Sequence, residues 1–177
     1  VGAFSLKERR VLKLPKDVAA DPRHDAVRAL LERDPTPLWE EGRHSVATVS
    51  LDKALADVLR GALHTGHAAQ GLELITEKLA AEQKGLDALS EKSPESPQNA
   101  RVSRLLFVAN DGSKRFYRDC EGLLTRYPQR LLACRIDLGG EAIGEVLFGT
   151  PKLVRSLLVF DKKVVSRALL ALLPRAS

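Results

Sequence analysis

Leu105-Leu106-Phe107-Val108-Ala109-Asn110-Asp111-Gly112-Ser113 is the stretch that decides the fold. Five apolar residues without polar alternation, too few for a helix, describe a strand buried on both faces. Asn110, Asp111 and Gly112 turn the chain, and Ser113 caps a helix that runs to Arg126. A strand with no wet face that feeds straight into a helix belongs to a sheet covered by helices on both sides.

Downstream, the same pattern repeats. Leu131 to Ile136 reads as a strand, Leu138 to Val146 holds a short glycine-flanked helix, Ser156 to Phe160 is a third strand and Lys162 to Leu173 a closing helix. Upstream, Ser50 can cap a helix to about Leu63, with Leu55, Val58 and Leu59 on one face. His64 to Gln70 is a glycine-containing connection with room for a very short strand. A second helix spans Gly71 to Gln83, with Leu74, Ile75 and Leu79 inward. Residues 84–101 contain Ser93-Pro94-Glu95-Ser96-Pro97-Gln98-Asn99 and read as a mobile polar loop. The expected fold class is α/β: a three-layer α/β/α sandwich over residues 51–177, with a mixed central sheet of about four strands.

Residues 1–50 read differently. Arg9, Arg10 and Lys13 stand in a basic stretch with Val11, Leu12 and Leu14 interleaved. Asp21-Pro22 opens one short helix carrying Val27, Leu30 and Leu31, which Asp34-Pro35-Thr36-Pro37 breaks. Leu38 and Trp39 follow as an anchor onto something else. The segment is expected to be an N-terminal extension that runs along partner molecules or neighbouring subunits, with Arg9, Arg10, Lys13 and Trp39 as its contacts.

Composition narrows the function. The 177 residues are 44% hydrophobic and 29% charged, enough for a packed core, but only 5% aromatic, which disfavours wide base-stacking platforms. A net charge of +5 favours a polyanionic partner, because Lys and Arg release condensed counterions from phosphates. Two cysteines, Cys120 and Cys134, each in an apolar run, fit a reducing intracellular compartment. No apolar stretch has the length of a membrane span, so no membrane partner is expected. The chain opens at Val1 and contains no methionine, so its start reads as trimmed, by removal of a mitochondrial transit peptide or by a cut of another kind. Mitochondrion and cytoplasm both stay open.

Chemistry finds little support in the residues. His64-x-x-His67 has no third ligand at metal spacing. Gly144-x-x-x-x-Gly149-Thr150-Pro151-Lys152 lacks the lysine directly after the second glycine, and Pro151 removes an N–H donor where a phosphate cradle needs one. No nucleophile elbow is present. The expectation is no catalytic residue, no metal and no cofactor.

Three segments carry a family resemblance: Gln70-Gly71-Leu72-Glu73-Leu74-Ile75, Leu105 to Asp111, and Leu138-Gly139-Gly140-Glu141-Ala142-Ile143-Gly144. Their order and spacing resemble the ribosomal-protein superfamily of kink-turn RNA binders, of the L-seven-A-e and L-thirty-e type, over about residues 51–173. The resemblance implies a non-catalytic structural RNA-binding subunit of a ribonucleoprotein, with ribosomal RNA favoured, or a ribonuclease P-type subunit. It places the RNA contact on Gly71, Glu73 and Lys78 at one helix start, and on Gly139, Gly140, Glu141, Ile143 and Gly144 at another. Lys152 and Arg155, just beyond that loop, are suited to phosphates. Leu72 stands where the family has Asn and Glu77 where it has a basic residue, departures that favour the alternative of a protein–protein module of the same fold. A helix cap with a first-turn acid explains Gly71 and Glu73 equally well, and ordinary turn glycines explain residues 139–144.

Overall fold

The computed structural model describes residues 12–92 and 100–174. Their fold is the α/β sandwich anticipated above, with a larger sheet. The elements in order are α1 (Lys16–Ala19), α2 (His24–Glu32), β1 (Thr36–Pro37), β2 (Ser45–Val49), α3 (Lys53–His64), β3 (Ala68–Gln70) and α4 (Leu72–Lys92). They continue with β4 (Arg104–Val108), α5 (Lys114–Arg126), β5 (Leu131–Ile136), α6 (Gly140–Phe148), β6 (Ser156–Val159) and α7 (Lys162–Ala171). Among the described residues the sheet has six strands in the order β1-β2-β5-β4-β6-β3. β2, β5 and β4 run parallel, while β6 and β3 alternate in direction beyond them.

The apolar runs divide between two cores by simple alternation. Leu105 and Phe107 of β4, Cys134 and Ile136 of β5, and Leu157 and Val159 of β6 face one layer. Leu106 and Val108, Leu131 and Ala133, and Leu158 face the other. The first layer is built from α1, α2, α3, α6 and α7 through Val18, Val27, Leu55, Ile143 and Val165. The second is built from α4 and α5 through Ile75, Leu79, Tyr117, Cys120 and Leu124. Each fully buried aliphatic side chain contributes about 1.5–3 kcal/mol of transfer free energy.

Residues 12–50 depart most from expectation. Instead of an extension they supply two helices and two strands to the domain. Leu14, Val18 and Val27 are buried in the first core, and β2 extends the sheet by pairing in parallel with β5. Arg135 of β5 fixes β1 in turn, donating to the Thr36 hydroxyl and to the carbonyls of Pro37 and Leu38. The physical reason is an open edge: without β2, β5 would expose a row of unpaired backbone groups beside an apolar face.

Smaller differences follow local chemistry. Asp52, not Ser50, caps α3, its Oδ1 accepting from the Leu55 amide at 3.1 Å. α2 begins at His24, two residues past Pro22, because Asp21 bonds Arg23 instead of capping. α4 continues to Lys92, so the first part of the stretch expected to be a mobile loop is helix, and residues 93–99 lie outside the described residues. Leu74 points outward at 53% exposure, while Leu72 takes its place against the second core.

Candidate nucleic-acid interface

Pairing alone brings the two glycine-bearing helix starts together. The parallel strands β2, β5 and β4 all end at one side of the sheet, where β6 begins. Val108 of β4 pairs with Ser156, and the Ala109 amide donates to the Arg155 carbonyl at 2.9 Å. The Gly71 amide donates to the Ser156 carbonyl at 3.3 Å, and the Val154 amide to the Gly140 carbonyl at 3.0 Å. The starts of α4 and α6 therefore straddle the first residues of β6, one in each helix layer.

Gly71 has φ +93°, a backbone conformation that side-chain-bearing residues rarely adopt, and a Cβ there would meet nothing within 4 Å. The tight passage from β3 into α4 requires that conformation and leaves an open notch. Glu73 stands exposed in the first turn of α4. Lys78 does not join it. Lying a turn and a half down the helix, its Nζ sits 3.8 Å from the centroid of the Phe160 ring, past the far end of β6.

The other glycines serve the chain's own packing. A Cβ on Gly144 would lie 1.5 Å from the Lys152 carbonyl oxygen, and one on Gly140 2.8 Å from Leu153 and 2.9 Å from Arg155. Gly139 is similarly close to the Asp111 carboxylate, at 2.9 Å. Gly140, Ile143 and Gly144, expected at an RNA surface, are buried. Glycine at these positions permits segment 150–155 to cross directly over α6, which is why it reads as a close-approach signal. Glu141 remains exposed in the first turn of α6.

Asp111 ties the loops together. Gly139 offers no side-chain cap to α6, and Asp111 Oδ1 accepts the Gly140 amide at 3.0 Å. The same oxygen lies 3.5 Å from Arg155 Nε. Tyr117 fixes the loop from below: its hydroxyl donates to the Ala109 carbonyl at 2.5 Å and accepts the Gly112 amide at 3.0 Å. Lys152 is exposed with its Nζ 4.7 Å from the centroid of Phe148. Sequence reasoning missed Asp111 as a clasp and Leu153 as a solvent-facing apolar residue at 51% exposure. Only the acid that closes the Leu105–Asp111 run hinted at the first.

The expected contacts in residues 1–50 fare differently. Arg9 and Arg10 lie outside the described residues. The Lys13 carbonyl accepts the Val102 amide at 2.8 Å, so the chain is pinned to the domain there. Trp39 anchors onto this chain's own second core, with its Nε1 buried and unpaired. Among the described residues no group of three His, Cys, Asp or Glu is placed to hold a metal, and no helix is long and apolar enough to cross a membrane. No known family model matches the chain, and comparison with curated proteins returns no significant match.

Proposed function

We propose that this chain is a non-catalytic RNA-binding component of a ribonucleoprotein, gripping folded RNA with the sheet end where α4 and α6 begin. The observation that carries the reading is the juxtaposition of the open Gly71 notch, the start of α6 and Arg155 around the first residues of β6. The start of α4 presents amide donors and a positive dipole end to phosphate, while at α6 the Asp111 carboxylate already accepts the Gly140 amide. Glu73 is suited to the exocyclic amine of a guanine, and the exposed Leu74 and Leu153 to the faces of unstacked bases. The resemblance to kink-turn binders points to the same end and makes a ribosomal or comparable RNA the favoured partner.

A protein–protein module is the second reading. Its support is the set of carboxylates at the same end, Glu73, Asp111, Asp137 and Glu141, beside the two exposed leucines. Salt separates the two. RNA affinity falls linearly on a log–log plot against salt, by about 0.7–0.9 in slope per phosphate contact, whereas an apolar interface responds weakly. Binding of the full chain to a kink-turn RNA is measured from 50 to 300 mM KCl by filter retention, beside the double variant Lys152→Gln/Arg155→Gln. The expected result is weaker binding and a slope shallower by about 1.5 in the variant. Unchanged affinity and slope would refute the assignment of this end.

A further inference from the structure

The outer face of α5 carries Arg115, Arg118 and Arg126, all exposed and none in an ion pair among the described residues. Several arginines elsewhere are engaged, Arg60 with Asp57, Arg104 and Arg130 with Glu82, Arg135 with β1 and Arg155 with Asp111, whereas the exposed Arg33 and Arg167 stand singly on other elements, outside any ion pair among the described residues. At i, i+3 and i+11 the three stand on one side of the helix, opposite the buried Tyr117, Cys120 and Leu124. The turn before β2 adds a fourth. Arg43 lies against α5 because Glu121 Oε2 accepts the amides of Arg43 and His44 at 2.7 and 2.9 Å, and His44 Nε2 meets the Thr125 hydroxyl at 2.9 Å. Gly42 makes that docking possible, since a Cβ there would already touch Glu121 at 3.0 Å.

That arrangement leaves the strip positive. Glu121 keeps its charge but turns its carboxylate to the amides of Arg43 and His44, and Glu41 and Arg43 are exposed on the turn, so the positive excess of the strip is concentrated at Arg115, Arg118 and Arg126. Lys114 lies 3.6 Å from Glu40 at the strip's margin, both highly exposed. Asp119 is the other acid of α5 itself. Thr125 and Gly122 between the arginines keep the ridge low, and no aromatic ring on it is exposed to stack on a base. Such a surface contacts phosphates and reads no sequence.

Position supplies the partner. α5 starts three residues after Asp111, so Arg115 stands beside the sheet end while Arg126 lies about 16 Å further along the helix. We propose that the outer face of α5, with the Arg43 turn laid on it, holds the phosphate backbone of an RNA arm leaving the sheet-end site. This inference rests on the RNA reading of that end. It adds a second surface, independent of sequence, which extends the grip down one flank of the domain.

The test compares the full wild-type chain, the triple variant Arg115→Gln/Arg118→Gln/Arg126→Gln, and Lys152→Gln/Arg155→Gln. The probes are two kink-turn RNAs that differ only in the length of one flanking duplex arm, six or sixteen base pairs in design. Because all three α5 positions are exposed, the triple variant is expected to keep the wild-type circular dichroism and melting temperature. Wild type binds the long-armed RNA more tightly than the short. In the triple variant that advantage disappears and the salt slope on the long-armed RNA falls by about 2. If the triple variant matches wild type on both RNAs while the Lys152/Arg155 variant is weakened, the strip is overturned and the sheet-end reading stands. If only the triple variant is weakened, the sheet-end reading falls and the strip is the RNA surface. Should the wild type bind neither RNA, even at 50 mM KCl, both fall. Binding that then appears with an acidic polypeptide such as polyglutamate would reassign the strip to protein.

Discussion

Gly144→Ala is a one-carbon change whose cost can be worked from the structure. The new Cβ would lie 1.5 Å from the Lys152 carbonyl oxygen and 2.5 Å from its carbonyl carbon, where ordinary contact begins near 3.4 Å. Both are backbone atoms, so no side chain can swing aside. Either α6 or segment 150–154 must retreat by about 2 Å, enough to break the bond from the Val154 amide to the Gly140 carbonyl. Overpacking at the severe end of its usual range costs about 3 kcal/mol, the lost hydrogen bond about 1 kcal/mol, and the better helix propensity of alanine returns about 1 kcal/mol. A net loss of about 3 kcal/mol lowers the melting temperature of a domain this size by roughly 6–12 °C. Gly61→Ala is the matched control, because a Cβ there meets nothing within 4 Å. It is expected to raise the melting temperature by about 2–4 °C. Thermal and urea unfolding followed by far-UV circular dichroism measure both. A Gly144→Ala protein melting within about 2 °C of wild type would refute the claim that this glycine exists to let the 150–155 crossing touch α6.

Three further outcomes are expected. Deleting residues 1–50 removes Leu14, Val18, Val27 and the β2 strand from the first core, so the remainder should lose its cooperative unfolding transition and bind a hydrophobic dye; a sharp transition would make the segment dispensable. Asp161 caps α7, and the Val164 amide chiefly, with His67, the Lys163 amide and Arg167, holds its carboxyl below the ordinary carboxylate range. A folded-state pKa below the unfolded value of about 3.9 means stability that is present above that value and lost as pH falls through the folded pKa. Wild type should therefore be more stable than Asp161→Asn above about pH 4, with the gap closing under acid; a gap constant down to pH 2 would contradict the sign. Burial pushes the thiols of Cys120, beside Asp119, and Cys134 up to about 12. Neither should react with a thiol reagent at pH 8 in the folded protein, and both should react in denaturant.

The centre of the fold was legible because β4, β5 and β6 are buried on both faces, which turns each into a continuous apolar run. Ser113 announced α5 by the chemistry of a cap. β2 was not legible: Ser45-Val46-Ala47-Thr48-Val49 is short, and its place beside β5 depends on a strand more than eighty residues later. α4 was read too short because its apolar stripe stops at Leu79. Beyond Gln83 the helix leaves Leu86 and Leu89 exposed and carries the bond from Gln83 Nε2 to Asp87 Oδ1 at 2.9 Å, so no buried stripe marks its last turns. At the site, the glycines of residues 139–144 read as room for RNA, whereas their near neighbours lie within the chain: the Asp111 carboxylate at Gly139, the Leu153 and Arg155 side chains at Gly140 and the Lys152 backbone at Gly144. The clasp from Asp111 to Gly140 spans 29 residues and has no local signature.

Ultraviolet crosslinking of the full chain to a kink-turn RNA, with the attached peptides located by mass spectrometry, identifies the surface that touches RNA. Adducts are expected on Gly71–Leu74 and on residues 153–155, which meet around the first residues of β6. Adducts confined to the opposite end of the sheet, at His64–His67 and Tyr127–Arg130, or none at all at 50 mM salt, would contradict RNA binding at the sheet end where α4 and α6 begin.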